Sequence, residues 1–184
     1  MAPLIHGHYL PQIKGTKGEN SVAKKLRNLN QKEYKVFNDI YIQTNGKTTQ
    51  IDHLIISLYG IFVIETKNYK GWIHGSEKSE YWTQTFYKKK QTFRNPIKQN
   101  WAHIFFLKDI LADYSQVRYY SIIVFAGKAE LKNIHADVPV IYTESLLKTI
   151  RQNQTPYLTS DQVDRILDQP NKVILRDDQG ENST

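Results

Sequence analysis

Hydrophobic residues follow two different spacings within the first third of the chain, first that of a helix and then that of a strand. Val22, Leu26 and Leu29 recur at helical spacing, which predicts a helix from Thr16 to about Asn30. This helix would bury one apolar face and leave its lysines in solvent. The pattern then changes from a helical to a strand period.

From residue 34 onward the period shortens to two, which is typical of strands. Runs rich in β-branched and aromatic residues lie at Tyr34–Ile42, Thr49–Leu58 and Ile61–Lys67. Asn45-Gly46 is a strong signal for a two-residue hairpin turn, and Tyr59-Gly60 is expected to form the second turn. The three strands are therefore predicted to form an antiparallel meander.

The remaining pattern predicts a second hairpin, a long helix, and a closing set of strands and helices. The hairpin is expected at Trp72–His74 and Tyr81–Tyr87, the long helix at Pro96–Asp113 with Asn95 as its N-cap, strands at Val117–Phe125 and Val138–Tyr142, and helices at Thr143–Arg151 and Thr159–Asp168. This order predicts an α/β (α+β) fold with a mixed central sheet flanked by helices.

Length and composition are those of one ordinary globular domain. The chain has 184 residues, of which 40% are hydrophobic and 23% are charged. We expect an N-terminal arm over residues 1–15, which contain two prolines and two glycines, a single domain over 16–176, and a polar tail over 177–184.

The same sequence excludes several classes of chemistry. It has no cysteine, which rules out disulfides, thiolate metal sites and cysteine nucleophiles. Its N-terminus lacks the basic and apolar regions of a signal peptide, and its apolar runs at Leu54–Ile64 and Tyr119–Ala126 are too short to span a bilayer. A soluble, cytoplasmic protein with no membrane partner is expected. The net charge of +7 favours a polyanionic partner.

Three charged residues lie in or beside the most apolar stretch, QIDHLIISLYGIFVIETK. If Tyr59-Gly60 is a two-residue turn, Asp52 lies opposite Lys67, and Glu65 is one diagonal step away on the same face. A loop one residue longer would move Asp52 to the other face. The predicted register therefore decides whether these charges meet.

Two carboxylates that face one point suit a hard divalent cation, since Mg²⁺ uses one or two protein carboxylates and completes its shell with water and phosphate. A neighbouring lysine can orient an attacking water and offset charge on the phosphate. The alternative interpretation is a structural salt-bridge cluster in which Lys67 neutralises Asp52 and Glu65. Both interpretations remain open at the level of the residues.

A longer set of motifs resembles a known family. Asp52 followed by Glu65-Thr66-Lys67 resembles the D…(D/E)xK signature of the PD-(D/E)xK nuclease superfamily. The segments GENSVAKKL, QIDHLIIS, GIFVIETKNYKGWIHG, YWTQ and NPIKQNWAH are together similar to the nuclease-related domain (NERD) family, from about Thr16 to Leu111.

The resemblance implies a restriction-endonuclease-like αβββαβ core and Mg²⁺-dependent (or Mn²⁺-dependent) phosphodiester cleavage. By position it implies that Asp52 and Glu65 are metal ligands, that Lys67 is the catalytic lysine, and that Glu19 helps to hold the metal or its water. Gln99 matches the glutamine of a Q-x-x-x-(Y/H)-like element, in which His103 stands where tyrosine is frequent.

Glu19 and Gln99 also have structural interpretations. Glu19 completes a capping box with Thr16, although it lies on the same side of its helix as Val22. Gln99 and His103 form an i, i+4 pair that could make an ordinary inter-helix hydrogen bond.

Basic residues interleaved with aromatic ones form a candidate nucleic-acid contact. Such mixtures suit phosphates and unstacked bases, although charge runs are more often solvated surface. The candidate residues are Lys70, Lys88, Lys89, Lys90, Arg94 and Lys98.

The leading hypothesis is a metal-dependent nuclease acting on DNA, with RNA left open as a substrate and a homodimer left open as the assembly. The alternative is a nucleic-acid-binding module of the same fold that does not cut. A structural partner domain within a larger assembly is a third interpretation. The sequence leaves the strandedness of the substrate undetermined.

Overall fold

The computed structural model of the chain describes residues 16–44, 46–168 and 173–174, so the predicted arm 1–15 and tail 177–184 lie outside the described residues. The helices are α1 (Thr16–Leu26), α2 (Pro96–Ile110), α3 (Leu146–Arg151) and α4 (Ser160–Leu167), with 3₁₀ turns at Ala112–Tyr114 and Thr143–Ser145. The strands are β1 (Tyr34–Thr44), β2 (Lys47–Ser57), β3 (Gly60–Lys67), β4 (Lys70–Ser76), β5 (Tyr81–Phe86), β6 (Lys89–Arg94), β7 (Tyr119–Phe125), β8 (Lys128–His135), β9 (Val140–Tyr142) and β10 (Val173–Ile174).

The first sheet has six strands in the order β10-β1-β2-β3-β7-β9. Strands β1 to β3 form the predicted antiparallel meander, and β7 pairs parallel to β3 after a crossover that contains α2. The αβββαβ core is thus confirmed, with β4 to β6 inserted between β3 and α2. In the described residues no helix is long and apolar enough to cross a membrane.

Helices cover both faces of the first sheet. Val63 and Ile104 belong to the core between the sheet and α2, whereas Ile64 and Val22 belong to the core between the sheet and α1. Alternate residues of β3 therefore enter opposite cores, as the period of a strand requires. This explains why the central strands are hydrophobic at almost every position.

The turn between β2 and β3 differs from the predicted one. Ser57 pairs with Gly60, so the two linking residues are Leu58 and Tyr59 instead of Tyr59 and Gly60. The backbone of Gly60 has a φ of 126°, and an added Cβ would lie 2.5 Å from the carbonyl oxygen of Arg118. Gly60 is thus used as the first residue of β3, where β7 approaches closely. The register shifts by two residues, which leaves every side chain on its predicted face.

The second sheet has four strands in the order β6-β5-β4-β8. Its parallel pair β4–β8 continues the pair β3–β7, because residues 58 positions apart are partners on both sides of the junction, as in Lys67–Phe125 and Lys70–Lys128. The predicted hairpin corresponds to β4 and β5, but strands β6 and β8 were not predicted. Both are mostly polar and exposed. The sequence of β6 lacks the alternation that identifies half-buried strands, and in β8 the alternation covers only the five residues from Lys128 to Lys132.

The ends of the helices follow their local sequence. The side chain of Asn95 caps α2 by accepting the N–H of Ile97 at 2.9 Å, as predicted, and Pro96 occupies the first turn. Helix α2 ends at Ile110 instead of Asp113, because a 3₁₀ turn follows. The Thr16 side chain of the predicted capping box lies outside the described residues.

Candidate active site

The three charged residues in the apolar hairpin meet on the α2 side of the first sheet. Glu65 and Lys67 alternate with Thr66 on β3 and share the face of Val63. The last paired position of β2 and β3 joins His53 to Ile64, so Asp52 comes opposite Glu65 rather than opposite Lys67. The prediction that these side chains share a face is confirmed, although the partner of Asp52 was wrong.

The charged cluster, defined as Asp52, Glu65 and Lys67, is linked by short hydrogen bonds. The Lys67 ammonium donates to Oε1 of Glu65 over 2.6 Å, and the backbone N–H of Thr66 donates to Oδ2 of Asp52 over 2.7 Å. The Lys67 side chain is 17% exposed and that of Glu65 is 9% exposed. The cluster is therefore semi-enclosed instead of solvated.

His103 reaches the charged cluster from α2. Its Nε2 lies 3.5 Å from Oε2 of Glu65, and its Nδ1 lies 2.8 Å from the hydroxyl of Thr49 on β2. The sequence prediction named Gln99 as a site residue and ranked His103 below it. Gln99 lies half-buried one turn earlier on the same side of α2. The i, i+4 spacing was the signal that could have identified His103.

Glu19 approaches from the opposite helix. The first turn of α1 packs against the end of β3, because an added Cβ on Gly18 would lie 2.8 Å from Cβ of Asn68. Burial raises the pKa of Glu19, and the charges of Asp39 and Glu65 raise it further, while Lys67 lowers it. Glu19 is therefore within electrostatic range of Glu65 and Lys67, and its role at the site stays a prediction.

Asp39 is an acidic neighbour that the sequence did not indicate. It lies in β1 between Asn38 and Ile40, and Asn38 is the partner of His53. The φ of Asp39 is 50°, which lies in the left-handed region. Aspartate adopts this conformation more readily than most residues. Gln50 donates a hydrogen bond to its carboxylate. No sequence pattern distinguishes this backbone geometry from an ordinary strand position.

The two central carboxylates have opposite tendencies to ionise. Burial raises the pKa of Asp52 well above its ordinary value, and the charge of Glu65 adds to this, against the hydrogen bond from Thr66. Burial would also raise the pKa of Glu65, but its contacts with His103 and Lys67 outweigh burial and hold that pKa below its ordinary value. Of the two carboxyl groups, Glu65 therefore ionises first as the pH rises.

Lys67 stays charged in this environment. Burial by itself lowers the pKa of an ammonium group, but the charges of Glu65 and Asp52 and the hydrogen bond to Glu65 raise the pKa of Lys67 above its ordinary value. The side chain is therefore a hydrogen-bond donor and a fixed positive charge at neutral pH.

The donor set fits a small divalent cation in its chemistry. Asp52, Glu65 and Glu19 are carboxylates that destabilise one another's charged forms, and a nearby cation would relieve that repulsion. Mg²⁺ requires only one or two protein carboxylates, since water and phosphate supply the other ligands. Within the described residues, no three His, Asp or Glu side chains are placed so that together they could hold a metal ion.

The predicted basic residues lie on the second sheet and at the start of α2. One face of the second sheet carries Lys70 on β4 and Lys90 and Arg94 on β6. Lys88 lies in the β5–β6 turn. Lys89 lies opposite Phe86, on the other face. Lys98 makes an exposed ion pair with Glu80 over 2.8 Å, which leaves it less suited to phosphate.

The fold, a mixed sheet flanked by helices, is that of a nuclease-like α/β domain. The chain belongs to the nuclease-related domain (NERD) family, because the model of that family matches residues 14–126. It is also 40% identical over 162 residues to an uncharacterised protein of Bacillus anthracis, and this match covers 86% of the present chain and 76% of that protein. No solved structure matches the chain.

Proposed function

We propose that this chain is a Mg²⁺-dependent nuclease that hydrolyses phosphodiester bonds of DNA, with Mn²⁺ as an alternative ion. The observation that carries the proposal is the convergence of Asp52, Glu65 and Lys67 on one semi-enclosed face of the sheet. A structural salt bridge needs only one carboxylate per lysine. Burying a second carboxyl group, which raises its pKa, costs free energy of folding, and this cost favours a function for Asp52 beyond the salt bridge.

The residues have distinct roles in this proposal. Asp52 and Glu65 hold the ion, and Glu19 supports them from α1. The chemistry that Mg²⁺ supplies when bound is neutralisation of the phosphate charge and activation of a water molecule. Lys67 orients that water and stabilises charge on the scissile phosphate through its ammonium group.

Two residues of α2 act on the position of these groups. His103 links Glu65 to Thr49 and so limits the orientations of the carboxylate. Gln99, one turn earlier, borders the same region and supports the arrangement. Neither needs to touch the substrate for its loss to slow cleavage.

A nucleic-acid-binding module that does not cut is the second candidate. Glu65 favours it, because both of its carboxylate oxygens already have partners, Lys67 on one and His103 on the other. In that case the cluster would be a structural ion network, and the basic residues would carry the function.

Cleavage of supercoiled plasmid and of single-stranded DNA distinguishes the two candidates. Wild type is expected to cut with Mg²⁺ or Mn²⁺ and to stop when EDTA is added, while Asp52→Ala and Lys67→Ala are expected to be inactive. Asp164→Ala and Lys148→Ala are matched controls, because both residues are exposed on other helices. Equal cutting by all variants would indicate a contaminant, and binding without cutting under either metal would favour the second candidate.

A further inference from the structure

The second sheet has one face that helices and loops leave open. We call it the outer face and define it by Lys70, Trp72, Tyr81, Lys90, Arg94 and Lys128. The strand pairings place them together: Trp72 is opposite Thr85, Thr85 is opposite Lys90, Tyr81 is opposite Arg94, and Lys70 is opposite Lys128. The other face of the same strands carries the buried residues Ile73 and Trp82.

Two large aromatic side chains are exposed on the outer face. Trp72 is 51% exposed and Tyr81 is 61% exposed, whereas Trp82, the next residue after Tyr81, is completely buried. An exposed tryptophan on a sheet surface gains little for folding, because its apolar area stays in water. Such rings are suited to stack against a flat ligand.

The charge of the outer face is strongly positive. This side of the strands carries one acidic residue, Glu130, and five basic residues, which are Lys70, Lys90, Arg94, Lys128 and Lys132. Glu130 is paired with Lys132 over 3.0 Å, and Lys132 also lies over the ring of Trp72 at 5.8 Å. Its negative charge is thus locally compensated, and the remaining positive charges are complementary to a polyanion.

The outer face begins close to the charged cluster along the chain, but on the opposite side of the strands. Lys70, its first residue, follows Lys67 by three positions, so their Cα atoms are at most about 11 Å apart. Strands β4 and β8 continue β3 and β7 in the same register. Lys67 is the partner of Phe125, which packs with Ile73 and Trp82, so the cluster lies on the side of the strands that continues into the covered face of the second sheet. A strand held on the outer face would therefore have to pass around an edge of the sheet to reach the charged cluster.

We propose that the outer face binds an unpaired DNA strand, whose bases stack on Trp72 and Tyr81 and whose phosphates contact Lys70, Lys90, Arg94 and Lys128. Stacked rings select unpaired bases, since the faces of paired bases are covered inside a duplex. This inference rests on the proposed nuclease function, because it names the strand that the charged cluster would cut. It assigns substrate selection to a surface separate from the cluster.

Binding without catalysis tests the outer face. Fluorescence anisotropy of a labelled oligonucleotide of about 20 nucleotides is measured in EDTA, beside the duplex of the same sequence. Wild type is expected to bind the single strand more tightly. Trp72→Ala and Tyr81→Ala are each expected to weaken single-strand binding about 5- to 100-fold, and Trp72→Phe is expected to retain most of it because a ring remains.

Phe105→Ala is the matched control, because Phe105 is 60% exposed on α2, away from the outer face. It is expected to bind like wild type. The proposal is overturned if folded Trp72→Ala and Tyr81→Ala both bind like wild type, or if wild type binds the duplex at least as tightly. Since the assay contains no metal ion, its result is independent of whether the protein cleaves. Metal-dependent cleavage that is unaffected by Trp72→Ala would support the nuclease and reject this surface.

Discussion

The parallel pair β3–β7 of the first sheet is continued by the parallel pair β4–β8 of the second, but the two sheets differ in how they are covered. The first sheet is enclosed by helices on both faces, so a charge within it loses its hydration and must be paired. The second sheet is enclosed on one face only, and its other face carries exposed aromatic and basic side chains. Buried charge identifies the candidate chemistry in the first sheet, and exposed aromatic area identifies candidate binding in the second.

The charged cluster and the outer face are therefore recognised by opposite criteria, which are buried charge for the cluster and exposed apolar area for the outer face. Glu65 is informative because it is charged and buried, whereas Trp72 is informative because it is apolar and exposed. In each case the residue occupies the environment that costs free energy for its type. The following predictions test whether the sheets divide catalysis and binding in this way.

The largest expected effect is on stability within the second sheet itself. Trp82→Ala removes a fully buried ring that stacks on Phe125, and we expect it to lower the free energy of unfolding by about 3–5 kcal/mol. Trp72→Ala should change it by less than about 1 kcal/mol, because the ring is half exposed. Urea unfolding followed by circular dichroism measures both. Similar losses for the two variants would show that the outer face contributes to the core.

Catalysis should depend on the first sheet and hardly on the second. Asp52→Asn keeps the size of the side chain but removes its charge, and we expect the rate of Mg²⁺-dependent cleavage at saturating DNA to fall about 100-fold or more. Lys90→Gln should instead raise the DNA concentration needed for half-maximal rate and leave the saturated rate nearly unchanged. Steady-state cleavage kinetics separate the two effects. A large fall in the saturated rate for Lys90→Gln would contradict the division between the sheets.

The sequence predicted the first sheet better than the second for a physical reason. Alternation and turn residues placed Asp52 and Glu65 on one face, and the register error of two residues did no harm because the strand period is also two. Strand β6 is recognisable only through its pairing with β5, and the short alternation in β8 does not identify β4 as its partner. Pairing of polar strands depends on distant partners, which a local pattern does not contain.

Within the site, the residues that were missed depend on geometry instead of pattern. The left-handed backbone of Asp39 leaves no trace in the sequence. His103 was present in the i, i+4 pair, but only the packing of α2 against β3 shows that it reaches Glu65. Local patterns thus placed Asp52, Glu65 and Lys67 on one face, whereas the positions of Asp39 and His103 required the tertiary structure.

The far side of the first sheet should make stability depend on pH. His53 is buried opposite the charged cluster, and burial lowers its pKa to about 4. Its unfolded pKa is about 6.5, so between pH 6.5 and 4 the unfolded chain binds more protons than the folded one. Stability should therefore fall as pH falls through this window, by up to about 3 kcal/mol from His53.

The raised pKa values of Asp52 and Glu19 make stability rise as pH falls, which opposes the effect of His53. The contribution of His53 is therefore measured as the difference in stability between wild type and a variant that lacks the imidazole. Urea unfolding of wild type and His53→Gln is compared from pH 7 to about pH 4. The variant is expected to lose stability less steeply on acidification. His135→Gln is the matched control, because His135 is exposed on β8 and should leave the pH dependence unchanged. Parallel curves for wild type and His53→Gln would show that the buried imidazole takes up its proton without unfolding.

The smallest expected effect is on the salt dependence of DNA binding by the second sheet. Each phosphate contact to a single strand contributes about 0.7 to the slope of log K against log salt concentration, because it releases condensed counterions. Lys90→Gln should reduce that slope by about this amount, while Lys148→Gln, on the exposed side of α3, should leave it unchanged. The slope is obtained from anisotropy titrations at several salt concentrations in EDTA. An unchanged slope for Lys90→Gln would mean that Lys90 does not contact phosphate, and the bound strand would then have to follow the Lys70 and Lys128 side of the outer face.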